Sequence, residues 1–163
     1  MERFVRADLD EVEICTLQMD ELMPLILERL AAGQDVRFSP RGVSMLPMLR
    51  QGRDTVTLSP VTGRLRKYDL PLYRREDGRY VLHRVVGVAD TYTCIGDNQY
   101  VKEYGVEDRQ VLAVVTSFSR DGKEYSVSNP SYRLYCRFWN VSRFLRRCLR
   151  ALKFRLLRCF KKR

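Results

Sequence analysis

The sequence predicts a mainly β protein, α+β overall: an antiparallel β body with one helix ahead of it and a basic amphipathic helical tail behind it. Three observations predict this. Two Asp-Gly pairs, Asp77-Gly78 and Asp121-Gly122, sit between β-rich runs, a strong tight-turn signal. The connections between the predicted strands are short, which favours antiparallel pairing over crossovers. Residues 129–163 hold 12 Lys or Arg and no Asp or Glu, whereas residues 1–128 hold 18 basic and 20 acidic residues. The formal net charge of +10 therefore describes a near-neutral body with one strongly basic end.

Residues 1–35 are read as an N-terminal helical segment. Within it "MDELMPLILERLAAGQD", residues 19–35, has helical character. Asp20 is the expected N-cap. Leu22, Leu25, Ile26 and Leu30 fall at helical spacing with Arg29 as the polar exception, and Gly33 is the natural stop. Residues 36–128 are the β body. "DTVTL", residues 54–58, alternates as a strand does, and residues 69–88 form a hairpin about Asp77-Gly78. "DTYTCIGDNQ" adds a short strand and loop, and residues 110–127 repeat the hairpin device at Asp121-Gly122. This gives six or seven strands. Asn129-Pro130 marks the boundary of the tail, residues 129–163. There Leu134, Phe138, Val141, Leu145, Leu149, Leu152, Leu156 and Phe160 recur at steps of three or four, with arginines filling most gaps. That is the pattern of a basic amphipathic helix or pair of helices.

No run of 18 apolar residues is present, so no transmembrane helix is predicted, and the N-terminus lacks the pattern of a secretory signal. A cytoplasmic protein is expected. Its five cysteines, without a C-x-x-C pair, read as reduced thiols. One histidine and no ligand-like spacing leave no metal site to expect, and no cofactor is implied.

The chemistry begins at "RGVSMLPMLRQGRD", residues 41–54. A nucleophilic serine needs a constrained backbone, free N–H groups to hold an oxyanion, and a base within reach. Ser44 sits between fixed points: Gly42 permits close approach of a carbonyl, and Pro47 restricts the residue before it. The base on offer is His83, the chain's single histidine. Alternation through "YVLHRVVGV" sets Val81, His83 and Val85 on one face and Leu82, Arg84 and Val86 on the other. In "CIGDNQYVKE", Asp97 and Glu103 are the two acids that could orient the imidazole. Each residue also has a plainer reading: a serine that satisfies a loop backbone, a packed strand histidine, and an Asx-turn aspartate.

Taken together, these segments resemble the type I signal peptidase superfamily, which includes the self-cleaving SOS and phage repressors. "GVSMLPMLRQGRD" resembles its nucleophile box, "VLHRVVGV" the box that supplies the base, and "IGDNQYVKE" the Gly-Asp-Asn box that follows, in the family's order. Coverage is about half the chain, residues 36–118. The resemblance implies a coiled, mostly antiparallel β-fold, Ser44 as nucleophile and His83 as base, in the Ser/His branch that includes the endoplasmic-reticulum enzymes. It implies Asp97 as the motif aspartate and Glu103 as the acid closing the box. Several relatives carry a serine whose hydroxyl helps hold the oxyanion; here that position is Gly42, so the backbone N–H of Ser44, with one near Gly42, takes the role. The implied substrate is a peptide or protein with small residues before the cut, such as a signal or leader segment. Two alternatives stand beside this reading: a catalytically silent binding module at the membrane surface, and a self-cleaving repressor-type peptidase.

The tail suggests a second partner. Apolar and arginine-rich faces over residues 133–163 suit an anionic membrane surface, on the inner face of the membrane for a cytoplasmic chain, with Phe138, Trp139, Phe144, Phe154 and Phe160 at the interface. No specific nucleic acid is expected, because the three boxes contain no aromatic–basic platform of the kind that stacks bases.

Overall fold

The computed structural model describes residues 19–160. The start of the predicted N-terminal segment, with Cys15, lies outside the described residues, as do the side chains of Phe154, Leu156, Cys159 and Phe160. The architecture is α+β and its strand pairings are antiparallel.

Helix α1 (Met19–Ala31) opens the described chain. Asp20 already lies inside it and so is not its cap. The expected stop at Gly33 is present. Gly33 N–H donates to Leu30 O and Gln34 N–H to Arg29 O, the paired bonds that close a helix on a glycine. Leu22, Met23, Ile26 and Leu30 are buried, whereas Leu25 faces out.

The strands are β1 (Val36–Phe38), β2 (Thr55–Ser59), β3 (Pro71–Arg74), β4 (Tyr80–Leu82), β5 (Arg84–Val88), β6 (Tyr92–Ile95), β7 (Glu103–Val106), β8 (Val111–Arg120) and β9 (Lys123–Ser126). That is nine among the described residues, against six or seven expected. The surplus comes from three- and four-residue strands such as β1 and β7, too short for alternation to announce them. One sheet runs β1-β2-β8-β3-β4, with β9 also paired to β8; the other is β5-β6-β7. Both Asp-Gly hairpins form. Asp121 and Gly122 both adopt positive φ, 51° and 74°, the tight-turn geometry that suits the twist of β8 and β9. The register shifts at Thr57/Leu58, Leu72/Tyr73, Val85/Gly87 and Tyr92/Cys94 are points where a strand bends and its local twist increases.

Helices α2 (Pro130–Val141) and α3 (Arg143–Phe160) follow. Asn129 caps α2, its side chain accepting from Ser131 N–H at 3.0 Å. One apolar cluster joins α1 and α2 (through Tyr132 and Cys136) to the larger sheet. A second, with Tyr73, Val85, Tyr92, Cys94 and Val106, fills the space between the two sheets. The chain passes from one sheet to the other at residue 83, between β4 and β5, and this crossing positions the site.

Candidate active site

Ser44 lies in the long β1–β2 connection. The ends of this loop are drawn together by the β1–β2 pairing and by Ser39 Oγ, which donates to Asp54 O at 3.0 Å. "RQGRD" is a turn: Asp54 is fully buried, and Arg50 reaches it through its backbone N–H (2.8 Å) and a guanidinium fork (2.9 and 2.7 Å). The Arg50 bonds hold the Asp54 carboxyl below its ordinary range despite burial. Three of the apolar residues around the serine are core, whereas Val43 is exposed. Met45, Met48 and Leu49 sink into the large cluster, each contributing about 2 kcal/mol of burial. Their burial leaves Ser44 half-buried on the wall of a cavity. The Leu46–Pro47 peptide is cis.

His83 stands on the same cavity. Its volume is about 260 Å³, and its lining includes Gly42, Ser44, Met45, Leu49, Val81, Leu82, His83 and Gln99, with Arg41, Arg75 and Arg79 among the basic residues. The alternation read from sequence survives the β4–β5 break. His83 faces the cluster between the sheets, forming an edge-on contact with Tyr73 at 6.3 Å, while Arg84 faces the opposite way.

This division separates the two acids. His83 Nδ1 lies 2.8 Å from Glu103 Oε1. Tyr73 O–H donates to Glu103 Oε2 at 2.8 Å and lies 3.3 Å from the same imidazole nitrogen. Arg75 Nε donates to Glu103 Oε2 at 2.8 Å, and Arg75 Nη2 pairs with Oε1. Burial opposes the Glu103 charge, but the bonds from Arg75 and Tyr73 hold the carboxyl below its ordinary range. Burial pushes the Tyr73 phenol far up, so it remains a donor. The network assigns the Nδ1–H tautomer to His83, which leaves Nε2 as the acceptor. Burial lowers the His83 pKa below the ordinary 6.5, partly opposed by the Glu103 charge, so the imidazole is neutral near pH 7. Opposite Glu103 in the ladder, burial and the Glu103 charge push the Cys94 thiol up to about 12.

Asp97, expected in the catalytic set, is instead bound to Arg84. The fully buried pair is bidentate, at 2.8 and 2.7 Å. Arg84 also donates to Tyr132 Oη (2.7 Å) and Cys136 Sγ (2.8 Å) of α2. The reason is the alternation itself: consecutive residues His83 and Arg84 point to opposite sides, and each takes one acid. Gly42 is corrected in a similar way. It lines the cavity at φ +95°, a conformation that favours glycine, but its N–H donates to Gln51 Oε1 at 2.8 Å and is not a free oxyanion donor. Among the described residues no acceptor takes the N–H of Ser44, and its Oγ makes no hydrogen bond to the imidazole.

Sequence reasoning did not assign Tyr73, Arg75 or Asn98. Tyr73 and Arg75 are two apart at the end of a strand, the spacing that places side chains on one face. Asn98 was visible in its motif. Its N–H donates to Ser44 O at 2.8 Å and its Nδ2 to Val43 O at 3.1 Å, so it holds the serine loop by two successive carbonyls. Gly96 makes that approach feasible: a Cβ there would lie 2.7 Å from Ser44 O. The three residues of Gly-Asp-Asn therefore have three tasks: close approach, the Arg84 anchor, and the grip on the serine loop.

Among the described residues no group of His, Cys, Asp and Glu could hold a metal ion, and no helix is long and apolar enough to cross a membrane. Compared with protein-family models, curated proteins and solved structures, the chain has no match.

Proposed function

We propose that the protein is a serine endopeptidase that cleaves signal or leader segments by a Ser/His mechanism, as the three boxes suggest. The observation that carries this reading is one cavity walled by Ser44 and by an imidazole whose Nδ1–H is held by Glu103. Ser44 Oγ attacks the scissile carbonyl while His83 Nε2 takes its proton, closing the hydroxyl–imidazole distance as substrate binds. The Ser44 N–H receives the developing oxyanion. The tetrahedral adduct collapses, imidazolium returns the proton to the departing amine, and an acyl-enzyme remains on Oγ. Water deprotonated by His83 then adds to the ester, and the imidazolium returns that proton to Oγ as the acid leaves. Glu103 stabilises the imidazolium in both halves, and Tyr73 and Arg75 fix Glu103. The scheme needs no cofactor. A cytoplasmic site of action is part of the same proposal, supported by the basic tail, which suits the anionic inner leaflet.

The test is covalent labelling with a fluorophosphonate followed by peptide-library cleavage read by mass spectrometry. Labelling at Ser44, with cleavage lost in Ser44→Ala and in His83→Ala, is expected. A correctly folded protein that neither labels nor cleaves would instead be a silent binding module, and the enzyme reading would be wrong.

Gly96→Ala probes the positioning of the serine. The added methyl must push Ser44 O away from the turn, and a displacement near 1 Å in a reacting group costs about a hundredfold in kcat/KM. The cleavage rate of Gly96→Ala, compared with its urea midpoint, separates this from unfolding. An unchanged rate would show that the turn does not set the nucleophile.

A further inference from the structure

The α2–α3 pair has two unlike sides. Inward, Trp139 Nε1 donates to Asp97 O at 3.0 Å, and Arg143 Nη1 donates to Gly96 O at 3.0 Å and to Gln99 O. The Trp139 ring stacks on Tyr135, and the Arg146 guanidinium covers it at 3.4 Å. Outward, Leu134, Phe138, Val141, Leu145, Leu149 and Leu152 are each more than half exposed. Their spacing of three and four carries one apolar stripe across the α2–α3 junction, where Ser142 N–H donates to Phe138 O and Arg146 N–H to Ser142 O. The stripe is roughly 27 Å long at 1.5 Å per residue. Trp139 was grouped with the interfacial aromatics from sequence; its helical position and its bonds put it on the opposite side.

We infer that this outward stripe is a docking face for an anionic lipid surface, on which α2–α3 lies flat while its inward side stays clasped to the turn at residues 96–99. Charge selects among the occupants. With 12 basic residues and no acid in residues 129–163, two copies of this face repel each other, whereas anionic headgroups neutralise it. The exposed leucines and phenylalanines give nothing to a nucleic-acid backbone but enter the headgroup–acyl boundary of a bilayer. The inference goes beyond the peptidase reading and does not depend on it, since Ser44→Ala should bind lipid as wild type does. It also fixes an orientation: Trp139, the chain's single tryptophan, faces the body, about one helix diameter above the lipid.

The experiment is co-sedimentation of the full chain with vesicles of phosphatidylcholine alone or with 30% phosphatidylglycerol, at about 150 mM salt, where the Debye length is about 8 Å. Binding to the anionic vesicles only is expected, with about a tenfold or greater loss in Leu145→Asp/Leu149→Asp, whose sites lie outside the core. Arg137→Glu, beside the stripe, should weaken binding similarly, and circular dichroism checks that both variants fold. Lipids brominated at mid-chain should leave Trp139 emission nearly unchanged in the bound protein but quench a Phe138→Trp/Trp139→Phe variant. Failure of wild type to sediment would overturn the inference. Strong quenching of Trp139 would overturn the face assigned to lipid. A lipid-free dimer that Leu145→Asp/Leu149→Asp converts to monomer would assign the stripe to a second copy instead.

Discussion

Arg84→Met should destabilise the protein by about 3–5 kcal/mol, the usual result of leaving one member of a buried ion pair without its partner. The Asp97 carboxylate would keep its burial and lose both of its bonds to Arg84, and Tyr132 and Cys136 of α2 would lose their shared donor. Methionine fills much of the space but returns none of the charge. Urea unfolding should show a lower midpoint with an unchanged slope, because the surface exposed on unfolding is the same. Such a loss is a large share of a typical total of about 5–15 kcal/mol, so a low yield of folded variant is expected. Arg84→Met/Asp97→Asn removes the stranded charge and should regain part of the loss. If Arg84→Met unfolds within about 1 kcal/mol of wild type, the pair is not the anchor described above.

On the proposed mechanism, Glu103→Gln should leave the fold nearly intact and lower kcat about a thousandfold with little change in KM, the outcome expected when an imidazole loses the acid that sets its tautomer and balances its charge. The pH profile supplies a second readout. Burial holds the His83 pKa below 6.5 and the Glu103 charge partly restores it. The acid limb of kcat/KM should therefore fall below pH 6.5 in wild type and move lower still in Glu103→Gln. Stability carries the same sign. His83 is depressed on folding, so its contribution is complete above 6.5 and is lost as pH falls toward its folded value. Glu103 is also depressed, so its contribution is complete above 4.5 and is lost on further acidification. Thermal melts between pH 7 and 4 should show the first loss before the second. A Glu103→Gln variant that cleaves within tenfold of wild type would mean that the carboxylate does not orient His83.

The local signals in the sequence reached as far as local chemistry determines structure. Gly33 ends its helix and both Asp-Gly pairs turn their hairpins because the backbone conformation at those points is decided within a few residues. The facing of His83 and Arg84 followed from strand alternation, even across the break between the sheets. What alternation cannot give is the partner across space. Asp97 and Glu103 lie six residues apart in one motif, and only the pairing of β6 with β7 brings Glu103, not Asp97, to the imidazole. Tyr73 and Arg75 were missed for the same reason, since their importance comes from the acid they meet. Periodicity likewise found the amphipathic tail but counted Trp139 with the wrong side, because an aromatic residue next to a stripe looks like part of it until its hydrogen bond to Asp97 O is known.

The turn at residues 96–99 is held from two directions, by the serine loop through Asn98 and by the last two helices through Trp139 and Arg143. From the indole of Trp139 to the carbonyl of Ser44 the path is two hydrogen bonds and one peptide link. The helices are therefore not a detachable module. A chimera that exchanges them for other helices would also remove the support of the turn that grips the serine loop, so cleft and tail must be redesigned, or diversify, as one part.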